Sequence, residues 1–337
     1  MVKDLTLAVD VMGGDFGAPV TVPAVERLLC LHQEVQTILV GDEAQIASCL
    51  SRRWRHSERI QVIHTEEQVF SEDPVSVALR QKKRSSMRLA IEQVRDGLAS
   101  AVVSAGNTGA LMAVSRHVLK THPGIERPAI LSAMPTQTGH CHMLDLGANV
   151  DVSAEILLQF AQMGSVVAQH LDGIERPRIG LINIGEEDIK GNALIKKTHV
   201  LLQNSTLNYI GYIEGDRVFL GHADVVVCDG FVGNVALKFS EGVAHLMAQR
   251  IRAEIQTSWL RRILGAMAFP IWNGLKRQMD PANYNGASLV GLSGIVVKSH
   301  GGAGQASFLN ALGVAYKEAQ VNMPEIIARH AGAQVSL

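Results

Sequence analysis

The sequence predicts an α/β protein built on a mostly parallel β-sheet, and two observations predict it. Apolar runs of strand length alternate with helical periodicities along most of the 337 residues, the pattern of repeated strand–helix–strand units. Several of these units carry a Gly-Asn step: Gly106-Asn107, Gly191-Asn192, Gly233-Asn234 and the looser Gly147-Ala148-Asn149. In a parallel sheet the strand ends point at helix N-termini, whose free N–H groups favour an anion, and glycine lets the backbone approach it. The recurring step therefore suggests a phosphate or oxyanion site assembled from several loops of one sheet.

The first strand is expected over residues 5–11, ending at Met12-Gly13-Gly14-Asp15. Further strands are expected over 37–40, 60–63, 101–104, 129–133, 143–146, 179–182, 209–213, 225–228 and 295–297. Helices fit between most of them, for example over 110–119, 154–170, 193–203 and 235–252. The runs around Ile130 and Met143 leave no room for a helix, which predicts a hairpin or antiparallel excursion there. The length exceeds the size at which one hydrophobic core stops growing. The expectation is one α/β domain over 1–337, or two intimately joined lobes with a boundary near 125–145.

Segment 253–280 departs from the alternation. Taken as a helix, it puts Trp259, Leu260, Ile263, Leu264 and Met267 on one face and Arg261 and Arg262 on the other. Pro270 interrupts it, and Ile271, Trp272 and Leu275 follow beside Lys276 and Arg277. Such a face, with Trp272 beyond it, suits contact with a membrane surface or with a dimer partner.

Composition removes several classes. With 47% hydrophobic and 19% charged residues the chain is not disordered, and a net charge of −1 argues against nucleic acid as the main partner. Cys30, Cys49, Cys141 and Cys228 form no C-x-x-C pair, and no signal-like segment precedes the first strand. A reduced, cytoplasmic protein is expected. No uncharged apolar stretch approaches the roughly 20 residues that a spanning helix needs. There is no P-loop motif, and Gly291-Leu292-Ser293-Gly294 has the wrong spacing for a nucleophile elbow. Residues 302–307 half-match a dinucleotide fingerprint, with no room for the βαβ unit it requires. His140-Cys141-His142 has metal-ligand residue types, but adjacent strand residues point to opposite faces, which argues against a site.

The glycine loops supply the candidate residues. Asn107 and Thr108 present donors while Gly106 and Gly109 leave room for a ligand; Asn107 equally fits a helix cap. In loop 183–192, Glu186, Glu187, Asp188 and Lys190 crowd between a strand and a helix. A lysine near a helix N-terminus is opposed by the dipole and asks for an anion, either a phosphate or its acidic neighbours. Those three acids also have the oxygen ligands for Mg²⁺, though nothing in the spacing makes them converge. Asn234 stands near the start of a long helix, and Asn149 sits between Asp145 and Asp151. His300, in a basic glycine-rich turn at 298–304, can donate to phosphate or protonate a leaving group. The run Arg80, Lys82, Lys83, Arg84 and Arg88 fits a solvated helix face or a docking surface for an acidic partner.

Taken in order, residues 9–15, 104–110, 145–151, 183–192, 230–234 and 294–302 resemble the acyl-carrier-protein:phosphate acyltransferase family of bacterial phospholipid synthesis, over nearly the whole chain. The resemblance implies a three-layer α/β/α fold similar to the phosphate acetyltransferase and isocitrate dehydrogenase-like group, working as a homodimer without a cofactor. It implies that fatty acyl-carrier protein and inorganic phosphate give acyl phosphate and free carrier protein. A membrane glycerol-3-phosphate acyltransferase would consume the product for phosphatidic acid synthesis, which suits a cytoplasmic, peripherally membrane-associated protein. Phosphate can attack a thioester directly, so the reaction needs positioning and oxyanion donors rather than an enzyme nucleophile. On this basis Lys190 is expected to orient the phosphate and Asn234 to stabilise the oxyanion. Asp10, Gly13, Gly14, Gly106, Asn107, Thr108, Gly109, Asn149, Gly233 and His300 are expected to complete the cradle. The alternatives are a phosphotransacetylase-like enzyme acting on acyl-coenzyme A, a β-decarboxylating dehydrogenase, and a non-catalytic lipid-surface scaffold.

Overall fold

A computed structural model describes residues 5–268, 274 and 281–333. The chain runs β1 (Leu5–Asp10), α1 (Ala18–Leu31), β2 (Val35–Gly41), α2 (Glu43–Cys49), β3 (Ile60–His64), α3 (Val75–Arg80), α4 (Ser86–Arg95), β4 (Ala101–Ser104) and α5 (Thr108–Leu119). It continues through β5 (Ala129–Thr136), β6 (Gly139–Leu144), α6 (Ala154–Leu171), β7 (Ile179–Ile182), α7 (Ala193–Gln203), β8 (Tyr209–Ile213) and β9 (Val225–Val227). The last elements are α8 (Gly230–Gln256), α9 (Trp259–Met267), β10 (Ala287–Val290), β11 (Ile295–Lys298), α10 (Gln305–Val321) and α11 (Met323–Ala333).

Among the described residues the strands form one sheet of 11, in the order β3-β2-β1-β4-β11-β10-β5-β6-β9-β7-β8. Strands β3, β2, β1, β4 and β11 are mutually parallel, and so are β6, β9, β7 and β8. Between these halves β10 opposes β11, β5 opposes β10, and β6 opposes β5. Three reversals leave the two parallel halves running in opposite senses.

Both faces of the sheet are covered, which is why its strands read as near-continuous apolar runs. Leu7 and Val9 of β1 pack against α1 and α10 through Val25, Leu28, Phe308 and Leu312. Ala8, one residue out of phase, faces the other side with Met87, Ile91, Leu111 and Val114 of α4 and α5. In the second half α6 lays Leu157, Phe160 and Val167 over Leu144, Leu181 and Val225. The cluster containing Ala8 and Val102 is continuous with Met143 and Val226. One core therefore fixes the first half against the second and holds their loops in register.

The structure departs from several expected elements; the strand expected over 143–146 is β6 at Gly139–Leu144, drawn back by its antiparallel pairing with β5. Strand β10 was not anticipated; its four residues, Ala-Ser-Leu-Val, are set in place by pairing with β11 and β5. Helix α8 is longer at both ends than 235–252; its start is set by Asp229, which caps it and accepts from Val232 N at 2.9 Å. Helix α9 forms with its apolar side in the open, while Trp272 and Pro270 lie outside the described residues.

Candidate active site

Two clusters of glycine loops meet near the junction of the halves. In the first, Asp10 ends β1 with its carboxylate buried, accepting from Ser86 Oγ and Ser104 Oγ, each at 2.6 Å. Ser104 Oγ in turn accepts from Gly106 N at 3.0 Å. A Cβ on Gly13 would stand 2.7 Å from Asp10 Oδ2 and 2.8 Å from Gly106 N, so only glycine lets the first loop lie on the second. Gly14, at φ 82°, brings the same loop against the turn after β11, where Asp15 N donates to Gly301 O at 3.0 Å. Burial raises the Asp10 carboxyl above its ordinary value, against the pull of Ser104, Ser86 and nearby backbone N–H groups.

Lys298, the last residue of β11, stands in this cluster. Its Nζ donates to Ala105 O at 3.4 Å and to Ser299 O. Burial, and then the charge of Lys238 on α8, push its pKa down to about 8, while Asp10 and Asp15 resist. Lys238 lies one turn beyond Asn234 on the same helix face, where it is paired with Glu241 at 2.9 Å. The two halves thus bring two cations within electrostatic reach of each other.

The second cluster is built on Asp145, just after β6. Its fully buried carboxylate accepts from Ile130 N at 3.0 Å, Ala148 N at 3.0 Å, Asn149 N at 2.7 Å and Asn149 Nδ2 at 2.9 Å. Burial again outweighs these bonds and raises its pKa. Asn149 Nδ2 also donates to Pro128 O at 2.8 Å, and Asn149 O accepts from Gly230 N at 2.8 Å. The start of α8 is therefore tied to this loop. Gly233 lies so close that a Cβ would collide with the Asp145 carbonyl oxygen. That contact seats Asn234 over Gly147, where a Cβ on Gly147 (φ 121°) would be 3.4 Å from the Asn234 Cβ. The Asn234 amide has no hydrogen-bond partner among the described residues.

Between the start of α5 and this second cluster opens a cavity of about 750 Å³, a volume suited to a small-molecule site. Thr108, Gly109 and Met112 line one side, and Ile130, Gly147 and Asn234 the other. Arg116, His117 and Leu79 extend the lining. A smaller cavity of about 220 Å³ lies between α6 and α11, away from the glycine loops.

The structure sorts the sequence-derived candidates. Thr108, Gly109 and Asn234 face the cavity, and Asp10, Gly13, Gly14 and Gly106 form the adjoining cradle. Asn107 caps α5, accepting from Ala110 N at 3.0 Å and donating to Ser71 O at 2.6 Å. Asn149 spends both amide hydrogens in the loop just described. His300 is exposed and accepts from Gly302 N at 3.1 Å through Nδ1. Lys190 is half-buried, paired with Glu187 at 2.8 Å, and is not part of the cavity lining. Sequence reasoning did not single out Lys298 or Lys238. The signal for Lys298 was present, since a lysine closing an apolar strand before a glycine turn sits where strand ends converge.

A family model described as fatty acid synthesis protein matches residues 5–326. The chain belongs to this family. It is 58% identical over 326 residues to the phosphate acyltransferase of Alcanivorax borkumensis, covering 96% of each chain. It is 48% identical over 327 residues to that of Legionella pneumophila, again covering 96% of each. The family member described here is accordingly an acyltransferase. Its fold is similar to that of a phosphotransacetylase from Streptococcus pyogenes, with a TM-score of 0.62 at 18% identity over 94% of each chain. A branched-chain phosphotransacylase from Enterococcus faecalis has a TM-score of 0.56 at 15% identity, covering 94% of this chain and 99% of that one. The expected α/β/α architecture is therefore met.

Proposed function

We propose that the protein transfers a fatty acyl group from acyl-carrier protein to inorganic phosphate, giving acyl phosphate and free carrier protein for phosphatidic acid synthesis. One observation carries this reading: a cavity bordered by the unpartnered Asn234 amide adjoins a glycine cradle containing a buried-stemmed lysine. Phosphate rests in the loops of Asp10, Gly13, Gly14 and Gly106, with Lys298 meeting its charge. A phosphate oxygen attacks the thioester carbon, the C–O bond forms, and Asn234 with a neighbouring backbone N–H holds the oxyanion. Collapse breaks the C–S bond and the carrier thiolate takes up a proton. Lys298 takes the phosphate-orienting role expected of Lys190, which pairs with Glu187 and lies outside the cavity lining.

The carrier protein as donor is supported by the cavity rim. Leu79 lines the cavity, and Arg80, Lys83 and Arg84 follow it, exposed and without ion-pair partners among the described residues. An acidic carrier protein would be steered there. The fold likeness to phosphotransacetylases supports acyl-coenzyme A as the alternative donor. The test is incubation with inorganic phosphate and either long-chain acyl-carrier protein or acyl-coenzyme A, with acyl phosphate followed by mass spectrometry. Product chiefly from the carrier protein is expected; product only from coenzyme A moves the assignment to the alternative, and none from either defeats both.

The same proposal gives α9 a purpose. Trp259 and Met267 are 73% and 75% exposed, Leu260, Ile263 and Leu264 lie beside them, and no residue of α9 is buried. Among the described residues no helix is long and apolar enough to cross a membrane. A surface helix that delivers a labile amphiphile to a membrane glycerol-3-phosphate acyltransferase fits that exposure. Liposome flotation should fall sharply for the Leu260→Glu/Leu264→Glu double variant. Unchanged flotation with dissociation of a homodimer would assign the face to a second copy instead.

A further inference from the structure

At the other end of β6 from Asp145, two histidines and an aspartate converge. His140 and His142 are two apart on the strand and so share a face, while Cys141 between them is buried on the opposite face. Asp172, the residue after α6, reaches both rings: its Oδ1 lies 3.2 Å from His140 Nε2 and its Oδ2 2.6 Å from His142 Nε2. The three ligand atoms all lie within 4.8 Å of one another. His142 is buried and its Nδ1 has no partner, so Nε2 is the nitrogen that ring commits to a neighbour. The side chains of His140 and Asp172 are 38% and 21% exposed, which leaves an open side for an ion and its water.

We propose that His140, His142 and Asp172 form a binding site for a divalent transition-metal ion, Zn²⁺ by the chemistry of its ligands. Two imidazoles and one carboxylate are the donor set of a borderline-soft ion that accepts four ligands, with water completing the tetrahedron. Ligand atoms around a tetrahedral zinc stand about 3.3 Å apart, from zinc–ligand bonds of about 2.0–2.1 Å; the three ligand atoms here, all within 4.8 Å of one another, reach that spacing by small side-chain rotations on binding. Nearby Asp224 does not compete for the ion, because Arg178 holds both its oxygens at 2.8 and 3.0 Å. His140 stands five residues before Asp145, about 16 Å along an extended strand. The ion is thus remote from the acyl-transfer cavity, and it pins the β5–β6 hairpin to the end of α6.

The test uses the full chain, freed of metal with a chelator and titrated with Zn²⁺ against a chromophoric competitor, and separately with Co²⁺. One ion per chain is expected, Co²⁺ giving the visible bands of a tetrahedral site, with a rise in the thermal midpoint on binding. His140→Gln, which leaves the buried ring in place, and Asp172→Asn should each weaken binding about 100-fold and abolish that rise. Both variants are first checked for native circular dichroism, and His56→Gln on the remote surface should bind as wild type does. Absence of stoichiometric binding by the wild-type chain would overturn the proposal. So would affinity that His140→Gln and Asp172→Asn leave unchanged, reducing the cluster to a hydrogen-bonded staple.

Discussion

At the end of β1, the carboxylate of Asp10 takes its close hydrogen bonds from the hydroxyls of Ser86 and Ser104. Just after β6, that of Asp145 takes three from backbone N–H groups and one from the Asn149 amide. Both are buried, both tie a glycine loop to its neighbours, and both are raised by desolvation. What they organise differs. The first lies beside the ammonium of Lys298, whereas the second presents the neutral amide of Asn234 over bare glycine backbone. A cation suits a reactant that arrives charged; a fixed neutral dipole suits charge that develops only in the transition state. The difference divides the proposed reaction into a phosphate half and a carbonyl half.

The largest expected effect lies on the charged half. Lys298→Ala should lower kcat/KM for phosphate by about 10³-fold, as measured in the acyl phosphate assay. Its pH dependence sharpens the comparison. The folded lysine titrates at about 8, below its ordinary 10.5, so between those values the unfolded chain carries a proton that the folded chain lacks. Stability therefore rises with pH across that window, while phosphate binding weakens as the ammonium is lost. These opposite slopes, in thermal midpoint and in KM for phosphate, should both flatten in Lys298→Ala. No corresponding slope is expected from Asn234, which does not titrate.

The next effect tests the different donors. Backbone N–H groups cannot become acceptors, so Asp145→Asn turns an amide donor against a donor and should cost about 3 kcal/mol in denaturant unfolding. The hydroxyls of Ser86 and Ser104 can rotate to accept, and the backbone N–H groups of Met12 and Gly13 pull on Asp10 less than those hydroxyls do. Asp10→Asn should therefore cost only about 1 kcal/mol. Equal losses would mean that the two clusters are not held in the distinct ways their geometry indicates.

How much of this was legible depended on the range of the interactions. Strand β7 and helix α7 match the expected 179–182 and 193–203 because apolar periodicity and the Asn192 cap are local signals. Strand β10 was not legible, since only its neighbours from distant sequence make Ala287–Val290 a strand. Gly233 could be noticed but not explained: the Asp145 carbonyl that excludes a Cβ lies far back in the chain. Lys238 meets Lys298 only because the halves are locked through one core. The histidines of β6 illustrate the same limit. Alternation correctly separates Cys141 from its neighbours, yet the ligand that unites His140 and His142 is Asp172, 30 residues beyond His142.

The smallest effects on stability come from two asparagines that look alike in sequence, each following a glycine near a helix start. Asn234 is held by Gly233 against the Asp145 loop and keeps its amide unpartnered, so Asn234→Ala should leave the thermal midpoint nearly unchanged. It should lower kcat about 10²-fold, with little change in KM for phosphate, because the oxyanion exists only in the transition state. Asn107 spends its amide at both ends, on Ala110 N and Ser71 O. Asn107→Ala should therefore lose about 1 kcal/mol of stability, as cap deletions do, while kcat stays within about twofold, or about 0.4 kcal/mol. The reverse pattern, a stability loss at 234 and a rate loss at 107, would move the oxyanion donor from the second cluster to the start of α5.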